Sequence, residues 1–346
     1  MSKVLKQTTR FLIIQSVLLL LILISSYLHL TNGEFDMKIM EIIQVLLGIG
    51  NDEMQELVIF DFRMPRIILA IITGAGLGIA GVVLQGITKN ELADPGILGI
   101  NAGAGVGIIS FMYFFQVMFS SFSLNGWVSI MLLPIFGFVG GIITAIFILF
   151  FATKNQQMDM QRLILTGIAL NSGLGALSMY ISLKLSPEDY EMAAIWTTGS
   201  IYNANWIYIW SSLPWLIILG FFIYRKAPIL DYFQLQEDQM ISIGIQTEKE
   251  KRLLLYSSVG LISACVSVSG SIGFIGLMAP HIARQLIGIK HRYVIPVSAF
   301  IGATLVVLSD FIAKTIFSPS ELPVGIVISI IGIPYFLYLL IRNKEG

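Results

Sequence analysis

Two arginines, Arg63 and Arg66, stand one helical turn apart just before a long apolar run that ends near residue 88. A guanidinium group has a planar fork that pairs with a carboxylate through two parallel hydrogen bonds, so these arginines could bind an acidic partner. The alternative is snorkelling, in which the stem lies on apolar surface and the charged head reaches water. The two residues alone leave both interpretations open.

A carboxylate, Asp310, lies inside another apolar run. Charged side chains are costly in a membrane and are often functional there, so a proton relay is one interpretation. The other is a structural ion pair with Lys314, which follows one helical turn later. We favour the ion pair.

Catalytic chemistry has little support in this sequence. The histidines, His29, His281 and His291, are far apart, and His281 is expected to make structural hydrogen bonds. Cys265 is the only cysteine, so neither an intrachain disulfide nor a cysteine metal cluster is expected. The chain has no GxxxxGK[S/T] phosphate loop. We therefore expect no enzyme activity, no cofactor and no metal site in this chain.

Composition indicates a membrane protein. Of 346 residues, 56% are hydrophobic and 12% are charged, whereas soluble domains carry about 25% charged residues. The formal net charge is zero, which argues against nucleic-acid binding. The first apolar run, 11–24, is preceded by three basic residues, as in a signal peptide. No clear cleavage site comes after the run, so we favour an uncleaved first span.

Apolar runs predict an all-α membrane protein of about ten spans. They are 11–30, 66–88, 95–118, 128–152, 161–184, 206–224, 252–272, 274–289, 293–317 and 323–341, with the eighth short and interrupted by Pro280.

The distribution of lysine and arginine predicts that both termini are cytoplasmic. With that orientation, sixteen cations lie in inside segments and five lie outside. The positive-inside rule favours this arrangement. The outside cations are Lys38, Arg63, Arg66, Lys184 and Lys314.

Two blocks of sequence carry a family resemblance. The first comprises Arg63-Met-Pro-Arg66, Gln85 and Asn90-Glu-Leu-Ala-Asp94-Pro95-Gly96-Ile-Leu-Gly99. The second comprises Gly273-Phe-Ile-Gly276-Leu-Met-Ala-Pro280-His281-Ile-Ala-Arg284, His291-Arg292, Gly302-Ala303, Asp310, Glu321-Leu-Pro323-Val-Gly325 and Gly332-Ile-Pro334. In order and spacing they resemble the membrane permease subunits of bacterial importers for iron–siderophore complexes, haem and vitamin B12, over essentially the whole chain.

The resemblance implies a type II ABC importer permease fold. Residues 1–346 would form one transmembrane domain, with spans two to five and seven to ten as an inverted repeat. Implied partners are two ATPase subunits, an extracytoplasmic substrate-binding protein and a second permease, the same chain or a similar one. The implied location is the bacterial cell membrane. A ferric siderophore is the expected cargo, with haem or vitamin B12 as alternatives.

The resemblance also assigns roles to particular residues. Arg63, Arg66 and Lys314 would receive acidic residues of the binding protein. Lys314 stands where the family usually has arginine, so it keeps the charge but loses the fork. Asn171 and Ser172 would line the translocation pathway, although close helix packing through small residues explains the same pattern.

Segment 229–251 would couple the permease to the ATPase. The family places two short helices bent at a glycine here, and Gly244 matches the bend, with Glu237 and Ser242 nearby. A solvated linker is the alternative, which the apolar residues between 240 and 245 disfavour. The shorter inside loop 90–95 has Glu91 where the family often has proline.

An ion-coupled secondary transporter is the principal rival function. It would need a coupling site built from intramembrane carboxylates, and only Asp310 and Glu321 are candidates for one.

Overall fold

A computed structural model describes the backbone of residues 2–33, 35, 37–49, 52–118, 126–154, 157–317 and 321–342. Within these ranges, the side chains are described except at residues 2–6, 97, 116–118, 126–130, 154, 157, 237 and 342.

Helices make up almost all of the described structure. The α-helices are α1 (Ser2–Thr31), α2 (Ile39–Leu46), α3 (Glu53–Leu57), α4 (Met64–Thr88), α5 (Ile100–Met118), α6 (Gly126–Ala152), α7 (Met160–Ser182), α8 (Pro187–Thr198), α9 (Trp206–Arg225), α10 (Ala227–Tyr232), α11 (Glu237–Ser242), α12 (Thr247–Ser269), α13 (Ile275–Ile287), α14 (His291–Ile316) and α15 (Val324–Arg342). A π-helical turn, Val58–Arg63, leads into α4, and a 3₁₀ turn, Pro95–Leu98, precedes α5. The short strands β1 (Thr153–Lys154) and β2 (Gln157–Met158) pair antiparallel, with Thr153 opposite Met158.

The expected all-α membrane fold is confirmed. Within the described ranges, eight helices are long and apolar enough to cross a membrane, and α5 contributes a shorter apolar stretch, Ile100–Phe115. The expected span 274–289 corresponds to α13, which has 13 residues and continues through Pro280. Its length is about 20 Å, less than the roughly 30 Å of the hydrocarbon core. The inverted repeat remains a prediction.

Helices α4, α12 and α14 form the centre of the domain. A methyl group added at Gly74 would collide with the backbone of Gly302, and one added at Gly78 would collide with the carbonyl of Ser298. The backbones of α4 and α14 are therefore in direct contact. Small residues permit this approach, which in lipid strengthens van der Waals packing between helices.

The contacts at the two ends of α4 define two sides of the molecule. At one side, the end of α1, the start of α4 and the end of α14 meet around Arg66 and Asp310. At the other side, Lys89 follows α4 and contacts Leu235, while His291 begins α14 and contacts α10. The positions that could bind partners therefore form two separate groups.

Candidate functional site

Arg66, at the start of α4, makes two ion pairs. Its guanidinium donates hydrogen bonds of 2.7 and 2.9 Å to the two carboxylate oxygens of Asp310. A third, of 2.6 Å, goes to Glu321. Arg66 is 8% exposed and Asp310 is 2% exposed. The prediction that Asp310 pairs with Lys314 is wrong, because its carboxylate is occupied by Arg66.

His29, in the last turn of α1, joins this group. Its Nε2 atom lies 3.2 Å from the carbonyl oxygen of Val307 and 3.6 Å from Asp310 Oδ2. Because a carbonyl oxygen only accepts hydrogen bonds, the tautomer that fits carries its proton on Nε2. The imidazole therefore ties α1 to α14 beside the Arg66–Asp310 pair.

Arg63 and Lys314 converge on the backbone that follows α1. Arg63 donates to the carbonyl oxygens of Leu30 and Phe35, and Lys314 Nζ donates to that of Asn32 over 3.0 Å. A methyl group on Gly33 would lie 2.9 Å from Lys314 Nζ and 3.1 Å from the Arg63 guanidinium. Backbone carbonyls thus hold two cations close together.

The three basic residues border one cavity of about 1170 Å³. Its lining also contains carboxylates and aromatic rings, namely Asp61, Asp189, Glu321, Phe35, Phe62, Phe111, Phe115, Tyr202 and Tyr208. The structure therefore brings Lys314 together with Arg63 and Arg66, from which it is far apart in the sequence. A cavity with cations and apolar rings can hold an acidic group with apolar neighbours.

The two sequence blocks of the family resemblance meet at the other end of α4. Gln85 accepts a hydrogen bond from Arg284 and donates one of 3.2 Å to the carbonyl of Leu277. Asp94 accepts from the backbone N–H groups of Gly96 (2.7 Å) and Phe274 (3.2 Å). Burial raises the pKa of Asp94, and these two donors act against the rise.

His281 makes structural contacts, as predicted. Its ring lies 3.5 Å from the Glu91 carboxylate and 2.7 Å from the side-chain amide of Gln285. Glu91 thereby connects loop 90–95 to α13.

Segment 229–251 is packed onto the protein. Leu230, Phe233 and Met240 are fully buried against the main core. Ile241 and Ile243 on the same segment are exposed. This combination of anchored and exposed apolar residues disfavours a solvated linker.

Gly244 turns the chain between α11 and α12. Its φ of +82° lies in the left-handed region that favours glycine. A methyl group there would meet no described atom within 4 Å, so the constraint at Gly244 comes from the backbone conformation and not from a steric clash. Ser242 donates to the carbonyl of Asp238 (2.8 Å). Glu237 begins α11, and its side chain lies outside the described residues.

Asn171 and Ser172 are exposed on α7. Ser172 donates to the carbonyl of Ile168 (3.1 Å). Methyl groups added at Gly173 and Gly175 would meet no described atom within 4 Å. The face of α7 with Ser172, Gly173 and Gly175 is therefore open, whereas the backbone of Asn171 packs closely against Gly99.

Sequence reasoning missed two features. His29 was not connected with Asp310, since the two are far apart in sequence and nothing local indicates their contact. Asp231 was not connected with His291, whose Nδ1 atom lies 2.7 Å from the Asp231 carboxylate.

Among the described residues, no group of three or more His, Cys, Asp or Glu could hold a metal ion.

The apolar helices define the class as a multi-pass membrane protein, and a structural comparison narrows it to a transporter permease. A solved chain described as an inward-facing conformation of a metal-chelate type ABC transporter matches with a TM-score of 0.80 at 29% identity, covering 95% of this chain and 99% of that one. PsaBC from Streptococcus pneumoniae, at 15% identity and a TM-score of 0.54, shares the fold.

The chain belongs to the FecCD transport family, whose model matches residues 18–342. It is 49% identical over 326 residues to the iron-uptake system permease protein FeuC of Bacillus subtilis, covering 94% of this chain and 96% of that protein. It is 44% identical over 336 residues to the iron(3+)-hydroxamate import system permease protein FhuG of the same organism, covering 97% and 98%. The hemin transport system permease protein HmuU of Yersinia pestis is 36% identical over 291 residues, covering 82% and 83%.

Proposed function

We propose that this chain is the membrane permease subunit of an ATP-driven importer that carries a ferric siderophore across the cell membrane. The observation that carries the proposal is its near full-length similarity to FeuC and FhuG, at 49% and 44% identity. HmuU, at 36%, supports haem as the second candidate cargo.

The proposed assembly contains two copies of a permease or two similar permeases, two ATPase subunits and one extracytoplasmic binding protein. Family membership supports the kinds of partner, and the open face of α7 with Ser172, Gly173 and Gly175 supports a second permease beside it. ATP hydrolysis belongs to the ATPase partners, and this chain supplies the passage.

Docking of the binding protein is proposed at the cavity bordered by Arg63, Arg66 and Lys314. Arg63 and Lys314 are held by backbone carbonyls and lie close to each other, so their combined charge favours an incoming carboxylate. Arg66 borders the same cavity, but Asp310 and Glu321 already balance its charge. We therefore assign the main electrostatic attraction to Lys314, with Arg63 beside it.

ATPase coupling is proposed at the 229–251 segment, called the coupling segment from here on. Its exposed Ile241 and Ile243 would fit a cleft of the ATPase, while the buried residues of the segment anchor it. Ser242 and Glu237 are proposed to contribute to the same contact. Movement of this anchored segment during the ATP cycle would then change the opening between the two permeases.

Reconstitution of the permease with its ATPase and binding protein tests the function. Vesicles should accumulate ferric siderophore only when ATP and loaded binding protein are both supplied. Haem and vitamin B12 are the comparison cargoes. Uptake driven by an ion gradient without ATP would reject the proposal in favour of a secondary transporter.

Orientation can be tested by labelling cysteines, because the only native cysteine, Cys265, is buried. We propose that both termini are cytoplasmic, as the cation distribution predicts. Asn203→Cys should then react with a membrane-impermeant maleimide in intact cells. Asp238→Cys should react only after permeabilisation. The reverse labelling pattern would mean that the chain is inserted the other way round.

Replacing Gly244 with valine is expected to uncouple ATP hydrolysis from transport. Valine at positive φ strains the backbone by roughly 1–2 kcal/mol, which would reorient α11 on the ATPase. The permease should insert and bind its extracellular partner, but stimulation of ATPase activity by loaded binding protein should fall.

The matched control is Gly48→Val. Gly48 has a φ of +68° and equally open surroundings, but it lies after α2, outside the coupling segment. Equal stimulation in both variants and the wild type would show that the turn at Gly244 does not serve coupling.

A further inference from the structure

The coupling segment has a polar contact with the end of a membrane helix. Asp231, on α10, accepts two hydrogen bonds at one oxygen: 2.8 Å from the backbone N–H of His291 and 2.7 Å from its Nδ1 atom. The His291 side chain is 2% exposed and that of Asp231 is 36% exposed. The pair therefore lies at the boundary between the coupling segment and the packed interior.

Asp231 acts as a cap supplied from another part of the chain. The first N–H groups of a helix lack partners within the helix, and the helix dipole favours negative charge at that end. No side chain adjacent to the start of α14 in sequence provides this cap. The Asp231 carboxylate satisfies one of these N–H groups and also fixes the imidazole of the same residue.

Helix α14 has this contact at its start and the ion pair between Asp310 and Arg66 near its other end. His291 and Asp310 are separated by 19 residues, or about 28 Å of helix. Pro296 interrupts the backbone bonding of α14 between them. The neighbouring α4 spans that interruption, because Arg66 binds Asp310 and Gly86 packs against both Leu230 and His291.

Direct backbone contact makes α4 and α14 one packed unit. Gly74 and Gly302 touch through their main chains, and Gly78 contacts Ser298 in the same way. Close-packed interfaces do not deform continuously, so a displacement at one end of the unit is carried to the other. A second, exposed link joins Lys89 Nζ to the carbonyl of Leu235 in the coupling segment (2.7 Å).

We propose that Asp231 and His291 are positioning residues that transmit movement of the coupling segment to the α4–α14 unit, and through it to the docking cavity. This inference rests on the proposed function. The proposed role of the pair in coupling differs from binding of the ATPase. The ATPase would bind the exposed side of the coupling segment, whereas the pair lies between that segment and α14.

The test uses the full importer in vesicles with its ATPase and binding protein. Asp231→Ala removes the acceptor, whereas Asp231→Asn keeps an oxygen for the N–H groups of His291. Asp231→Ala should retain ATPase copurification and basal hydrolysis. It should lower the stimulation by loaded binding protein about tenfold, which corresponds to roughly 1.4 kcal/mol of coupling free energy. Asp231→Asn should recover most of that stimulation.

The control is Asp159→Ala. Asp159 caps α7 through its side chain, which accepts from the N–H groups of Gln161 and Arg162, so the variant loses a helix cap of the same kind. The nearby contact with the coupling segment, from the Met158 N–H to Glu248, uses the backbone and is kept. It should keep wild-type stimulation. Wild-type stimulation in Asp231→Ala would overturn the inference, as would loss of ATPase copurification shared by Asp231→Ala and Asp231→Asn. Lack of ATP-dependent uptake in the wild-type assembly would instead count against the proposed function.

Discussion

Replacing Arg66 with alanine is expected to destabilise the folded permease by about 3–5 kcal/mol, the range found when one partner of a buried ion pair is removed. The variant would leave Asp310, which is 2% exposed, without its bidentate partner in an apolar region. The measurement is thermal unfolding of the purified protein in detergent, followed by the recovery of monodisperse material after heating.

Two further variants separate the ion pair from general effects of charge removal. Arg66→Ala combined with Asp310→Asn removes both charges, so it should be more stable than Arg66→Ala alone. Lys184→Ala removes an exposed cation that lies over the Tyr180 ring, and it should unfold like the wild type. Unfolding of Arg66→Ala at the wild-type temperature would show that the buried carboxylate tolerates the loss.

The stability result bears on how a docking surface is built. A basic residue that serves an incoming carboxylate must not be fully satisfied within its own protein. Asp310 and Glu321 contact Arg66 at 2.7 and 2.6 Å, whereas Lys314 Nζ donates to the backbone carbonyl of Asn32. Carbonyl dipoles orient a cation without cancelling its charge. We therefore propose that Arg66 serves mainly the structure and Lys314 mainly recognition.

The sequence was sufficient to predict the helices but not their mutual contacts. Long apolar runs locate membrane helices because the hydrocarbon core admits backbone only when its hydrogen bonds are satisfied internally. Spacing within one helix suggested Asp310 and Lys314 as partners. The observed partner, Arg66, is 244 residues away, and periodicity says nothing about which helix faces which.

For the coupling segment too, the sequence predicts local features but not which side chains pack against the rest of the protein. Its apolar residues predicted contact with protein, and the positive φ of Gly244 agrees with the role expected of glycine. Which residues face inward could not be read from the sequence. Met240 is buried, whereas its neighbour Ile241 is exposed. This difference could not be predicted, because α11 is too short for a periodic pattern to specify one face.

Charge reversal at both Arg63 and Lys314 is expected to abolish docking of the binding protein while leaving the permease assembled with its ATPase. Close charge pairs at interfaces couple by roughly 1.5–7 kcal/mol, compared with about 0.2–1 kcal/mol for exposed pairs. Arg63→Glu with Lys314→Glu should therefore weaken affinity far more than tenfold. The measurement is the dissociation constant for loaded binding protein on permease–ATPase complexes in nanodiscs.

Lys184→Glu is the matched control, because it reverses an outside cation that does not border the cavity. Its affinity should match the wild type. Salt provides a second criterion. Ions screen the long-range attraction between an incoming carboxylate and the cations of the cavity, so wild-type affinity should fall as salt rises, and the double variant should lose that dependence. Wild-type affinity in the double variant would show that both cations serve only to hold the backbone after α1, and docking would then have to rest on another outward surface.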